Sequence, residues 1–233
     1  MKNLLFIFGF FSVFYSNAGT LQGAWEMVNE ENSIQKVVLV ASKEYLSISI
    51  FEKNQYIRAY GGSYTIADEA GQVYLNLKLE FNNKHPENVG DLIKYKFNRK
   101  ENQFTLENQL KTTWNRIDTG DGELAGLWQI TARTQNGQMV EMKQGPRKTI
   151  KLITGTRFQW MAINPETKEF SGTGGGTYTL INGKYTETLE FFSRDNSRVG
   201  ASLSFEAKIE ENRWIHSGKS SKGEPINEIW SKR

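Results

Sequence analysis

Few groups in this 233-residue chain could do chemistry: two histidines, His85 and His216, a spread of carboxylates, and no cysteine. The lack of cysteine excludes thiol catalysis, no Gly-x-Ser-x-Gly elbow presents a serine, and two histidines cannot build a multi-histidine zinc site. These residue types imply neither a metal nor a cofactor. His85 precedes Pro86 in NNKHPENVG, the composition of a solvated turn. Two carboxylates facing each other across a groove would suffice for glycoside hydrolysis. A single carboxylate inside a protein can instead orient a ligand. The residue that raises both questions is Glu187 in YTETLEFF. Strand alternation places Tyr185, Glu187, Leu189 and Phe191 on one face, and Thr186, Thr188 and Glu190 on the other.

The strand carrying Glu187 follows GTGGGTYTL, Gly172 to Leu180. A phosphate-cradling glycine loop must lead into a helix, whose N-terminus supplies the amide donors. Here Thr- and Tyr-rich residues and the turn Asn182-Gly183 follow, which is the pattern of a hairpin. The glycines therefore mark a place where a sheet bends.

The chain also repeats. LQGAW at Leu21 to Trp25 returns as LAGLW at Leu124 to Trp128, and GGSYTI at Gly61 to Ile66 returns as GGTYTL at Gly175 to Leu180. LEF, Val-Gly, ENQF/ENRW and a closing Trp, Trp114 then Trp230, keep the same order. An ordered series of this kind is the mark of a duplication. The linker falls in IDTGDGEL, Ile117 to Leu124. Short runs of period-two alternation, with little helical periodicity, predict an all-β protein of two tandem antiparallel barrels of about eight short strands each. A two-sheet sandwich is the structural alternative. The domains expected are a signal peptide over 1–18, a first repeat over 19–118 and a second over 124–233, each half carrying its own apolar faces.

Comparison of the copies singles out the second. LNLKLEF places Leu75, Leu77, Leu79 and Phe81 on the inner face of the first copy, and Glu187 falls where Leu77 stands. ENQFTL against ENRWIH sets His216 opposite Leu106, on the face of Trp214. IKYKF against LSFEA sets Ala207 opposite Phe97, two residues beyond Phe205. One interior is packed and the other is opened and furnished with polar groups. The candidate ligand-binding residues are Glu187, His216, Trp214, Tyr185, Phe205, Ala207 and Trp160. Trp160 in RFQWMAI shares a face with Phe158, while Gln159 and Met161 point the other way. The competing account makes Glu187 structural glue to a neighbouring Tyr, and makes Trp160 and Trp214 either core residues or a stacking platform for sugar rings.

The pair Gly23-x-Trp25 and Gly126-x-Trp128 resembles the opening motif of lipocalins and related calycin barrels. That resemblance implies a Trp plugging the closed end of the barrel under a cation from the last strand, here Arg116 and then Lys232. The threonine-aspartate-tyrosine motif of lipocalins is absent. The series FQW, GGGTYTL, YTETLEF, RVG and EIW makes the second copy similar to a lipocalin-like domain family of unknown function in secreted proteins of Gram-negative bacteria. The resemblance implies a fold and no catalytic residue.

Lys2 ahead of the apolar run Leu4 to Tyr15, with Ser16 and Ala18 before Gly19, reads as a cleaved secretory signal too short to span a bilayer. The formal charge is +3, and losing Lys2 lowers it by one, with no basic run to follow a nucleic-acid backbone. The expectation is a periplasmic or secreted, non-enzymatic binding protein with a small, largely apolar ligand in the second barrel. It engages no nucleic acid and does not span a membrane. The alternatives are a glycan- or protein-interaction module with filled barrels, and a carboxylate-dependent hydrolase around Glu187. N-terminal sequencing of the exported protein should begin at or near Gly19; a form that keeps residues 1–15 in a membrane would overturn the export reading.

Overall fold

The computed structural model describes residues 20–28, 34–220 and 223–233. The expected signal peptide lies outside the described residues. Eight antiparallel strands form the first barrel: β1 (Gly23–Met27), β2 (Gln35–Ala41), β3 (Tyr45–Glu52), β4 (Gln55–Glu69), β5 (Gln72–Asn82), β6 (Leu92–Lys100), β7 (Gln103–Glu107) and β8 (Lys111–Asp118). Each strand pairs with the next, and β1 closes on β8 with Met27 opposite Trp114. The second half repeats the plan with β9 (Gly126–Gln135), β11 (Lys148–Ile153), β12 (Arg157–Asn164), β13 (Glu169–Ile181), β14 (Lys184–Phe192), β15 (Ser202–Glu210), β16 (Arg213–Lys219) and β17 (Pro225–Lys232), where β17 closes on β9. The short strand β10 (Gln138–Glu141) is an addition, folded back on the far end of β9. Closure removes the sheet edges that alternating strands would otherwise leave unpaired. No helix among the described residues is long and apolar enough to cross a membrane.

The glycine pairs are bends, as expected, and they do more than bend. The ladder slips by one residue between Gly61 and Gly62 in β4 and between Gly175 and Gly176 in β13. A Cβ on Gly62 would stand 2.0 Å from the carbonyl oxygen of Lys78, and one on Gly176 2.0 Å from that of Thr188, so only glycine lets these backbones approach. The partner strand absorbs the slip as a bulge, and its side chains change sides beyond it. Leu75, Leu77 and Leu79 face the first interior, but Phe81 faces out. Likewise Tyr185 and Leu189 face the second interior, but Phe191 faces out. The simple alternation that placed Phe81 and Phe191 inside is corrected by the bulge.

Outside is not solvent for these rings. Val38, Val40, Phe51, Ala59 and Phe81 of the first barrel pack with Ile150, Leu152, Met161, Ile163 and Phe191 of the second in one buried cluster. Phe51 and Phe191 meet with ring centroids 5.1 Å apart. A shared apolar core between the barrels therefore supplements the core of each. It also explains why VVLVA in β2 is buried on both faces. Lys148 pairs with Glu80 across the joint at 2.6 Å.

The linker is tied by one carboxylate. Asp118 Oδ1 accepts from the amides of Ala24 and Gly120 at 3.2 and 2.9 Å, and Oδ2 accepts from Thr156 N, Thr154 Oγ1 and Thr156 Oγ1 at 2.9, 2.8 and 2.7 Å. One side chain thus joins the first strand of one barrel to the β11–β12 turn of the other. Burial works to raise its pKa, but the bonds from Thr156, Thr154 and Gly120 outweigh burial and hold the carboxyl below its usual range. A lowered folded pKa adds stability that is complete above about pH 4 and is lost as pH falls through the folded value. Asp118→Asn should cost about 1.5–3 kcal/mol at neutral pH. Urea melts at descending pH should show that gap between wild type and variant closing as pH falls below the ordinary aspartate pKa of about 3.9; a gap independent of pH would refute the ionic role.

Candidate functional site

Strand register confirms the equivalences that matter. Leu77 pairs with Tyr64 in the first barrel, and Glu187 pairs with Tyr178 in the second. Leu106 pairs with Phe97, and His216 with Ala207. Register also exposes two replacements that sequence comparison missed. Trp25 lies opposite Leu39, whereas Trp128 lies opposite Lys151. Leu106 is flanked on β8 by Thr112, whereas His216 is flanked on β17 by Glu228. Leu75 likewise gives way to Tyr185, since each pairs with the last inward residue of the long strand, Ile66 or Leu180. An interior of leucines in one barrel thus holds Lys, Glu, His and Tyr in the other.

These residues converge. Lys151 Nζ lies 3.4 Å from Glu187 Oε2, and the Tyr185 hydroxyl donates to the same oxygen at 3.1 Å. Around the Lys151 ammonium stand the rings of Trp214, Trp230, Tyr185 and Phe158, with centroids at 5.1, 5.2, 5.3 and 5.6 Å. Aromatic faces and one carboxylate replace the water that a buried ammonium loses. His216 and its partner Glu228 lie two residue pairs beyond Trp214 and Trp230 along β16 and β17. The His216 ring packs on Phe205 at 4.1 Å, Trp214 at 4.9 Å and Tyr185 at 5.8 Å between centroids. Glu228 accepts from Trp230 Nε1 at 3.0 Å and lies 3.5 Å from His216 Nδ1, outside hydrogen-bond geometry.

Neither ring nitrogen of His216 has a hydrogen-bond partner, although the residue is only 3 % exposed. Trp214 Nε1 is also buried and unpartnered, whereas Trp128 Nε1 donates to the Leu124 carbonyl at 2.7 Å. Burial lowers the His216 pKa and the positive charge of Lys151 adds to this, against the opposing pull of Glu228, so the ring is neutral at pH 7. Burial would raise Glu228, but His216, Lys151 and Trp230 together outweigh it and lower its pKa. The Tyr185 hydroxyl is pushed well above its ordinary value by burial and then by the charge of Glu187, and stays protonated.

The remaining sequence candidates separate by position. Phe205 is buried against His216, and Ala207, half-buried and packed on the same core, stands where the first barrel has Phe97. Trp160 is the cross-strand partner of Lys151 and packs half-buried at the edge of the second core, against Phe192 and under the Arg194 guanidinium. Trp214 is fully buried and so is a core residue, whereas Trp160 is half-buried. Each motif tryptophan lies under a cation of the last strand, Trp25 under Arg116 at 4.2 Å and Trp128 under Lys232 at 5.5 Å. A separate cleft of about 740 Å³ opens between the barrels, walled by Lys43, Glu44, Lys232 and Arg233. Its charges are mixed, and its Lys148 is already paired with Glu80.

Glu187→Leu alone leaves the Lys151 ammonium buried without its carboxylate and should cost roughly 3–5 kcal/mol. Adding Lys151→Leu restores the pair of leucines found at the twin positions, and denaturant melts should recover most or all of that loss. Additive losses in this cycle would show that the two residues do not act as a pair.

The family comparison covers the half of the chain that carries this cluster: residues 123–233 match the model of a domain of unknown function (DUF4488). No curated protein matches the chain.

Proposed function

We propose that the chain is an exported, non-enzymatic binding protein whose second, lipocalin-like barrel holds a small and largely apolar ligand. The observation that carries this reading is His216, a buried imidazole with both nitrogens unpartnered where the twin barrel has Leu106. An unsatisfied buried polar atom costs about 1–3 kcal/mol. A duplicated barrel that closes with leucine gains nothing in stability from that cost, so a ligand is its natural compensation. The aromatic walls supply the apolar contact, and the small Ala207 pairs with His216 where the first barrel sets Phe97 beside Leu106.

Glu187 is held by Lys151 and Tyr185, which makes it an anchor for the site rather than a free acid or base and favours binding over hydrolysis. Lys2 and the apolar run behind it support export to the periplasm or the medium. A second reading, a protein-interaction module, draws on β10, whose four residues are all exposed, Met139 and Val140 among them.

Native mass spectrometry of protein purified from its own host decides between these readings. A retained small molecule is expected on the wild-type chain and should be lost from the variant combining Lys151→Leu, Glu187→Leu and His216→Leu. A bare wild-type mass under gentle ionisation would favour the interaction module.

A further inference from the structure

The charges of the second barrel point to the chemical class of its ligand. Lys151 and Glu187 form a close pair and cancel at a distance, and His216 is neutral, so Glu228 is the charge left over. Its side chain is 21 % exposed while that of His216 is 4 % exposed, which sets the carboxylate where the interior meets solvent. Arg133, opposite Glu228 across β9 and β17, is exposed and turns to the side-chain amide of Gln135 instead. The neutral imidazole keeps one ring nitrogen as a hydrogen-bond acceptor. A carboxylate and an acceptor nitrogen, walled by Phe205, Trp214 and Trp230, ask for a donor that carries positive charge. An anionic head group finds no counterpart, since the Lys151 ammonium is enclosed by four rings and Glu187.

We propose that the second barrel takes an organic amine: a monocation whose ammonium meets Glu228 and His216 and whose apolar body lies against Phe205 beside Ala207. The inference rests on the reading of this barrel as a ligand site. The repulsion from Lys151 is countered locally by Glu187 in contact with it, and the aromatic faces that already hold one ammonium suit a second.

Three probes of one shape separate charge from bulk: 2-phenylethylamine, 3-phenylpropionate and n-propylbenzene. Calorimetric titration of the full chain should show the amine binding at least about tenfold tighter than the acid or the hydrocarbon. Glu228→Gln, which keeps an acceptor for Trp230 Nε1, should remove about tenfold of the amine's affinity and leave that of propylbenzene unchanged. Equal binding of all three probes, or preference for the acid, would overturn the amine and leave the ligand-site reading standing. So would a native ligand that proves neutral or acidic. Failure of all three probes together with a bare native mass would overturn both.

Discussion

Two pairs of glycines set the shape of everything else. At Gly62 and Gly176 the neighbouring backbone passes where a Cβ would be, and the resulting slip in the ladder bends the longest strands of each half. Sharp bending lets eight short strands close on themselves. The same slip turns Phe81 and Phe191 from the interiors to the outside, where they become the material of the joint between barrels. A single device, inherited twice by duplication, thus closes each barrel and prepares its outer face for the other.

Duplication explains how the second barrel can tolerate its interior. One arrangement is the same in both copies, a Trp whose indole donates to a leucine carbonyl four residues earlier and whose ring a cation covers. Around it the copies diverge. The first is filled with Leu39, Leu75, Leu77 and Leu106, the cheapest way to stabilise a small core. The second holds Lys151, Tyr185, Glu187 and His216 at the matching positions. Charges of this kind seldom improve on leucine in stability. The shared apolar joint lends the second barrel support that its own interior gives up, and Asp118 ties the two where the chain crosses.

The polar interior is organised in two parts. Lys151, Glu187 and Tyr185 satisfy one another and form a rigid floor ringed by aromatic faces. His216 and the partly exposed Glu228 lie beyond them along β16 and β17, with bonding capacity unused at the imidazole. Completed bonds rigidify an interior and unfilled ones leave capacity for a further partner, so the contrast between the two parts follows from the hydrogen-bond inventory.

The sequence by itself determined the repeat, the all-β barrels, the bends, and the inward aim of Glu187, His216 and Ala207. These were legible because period-two alternation is local, and an apolar twin shows which face is inside. Lys151 and Glu228 were not legible. A lysine in TIKLI and a glutamate in NEIW read as solvated groups, and only the register across β9, β11, β16 and β17 puts them where Leu39 and Thr112 stand. Nor could alternation foresee that Phe81 and Phe191 change sides, because a bulge on one strand answers glycines on another. The burial of both faces of β2 and β11 likewise depended on the partner barrel. Local pattern states which side chains share a face; only closure and docking decide what that face meets, because burial is a property of the surfaces brought against it.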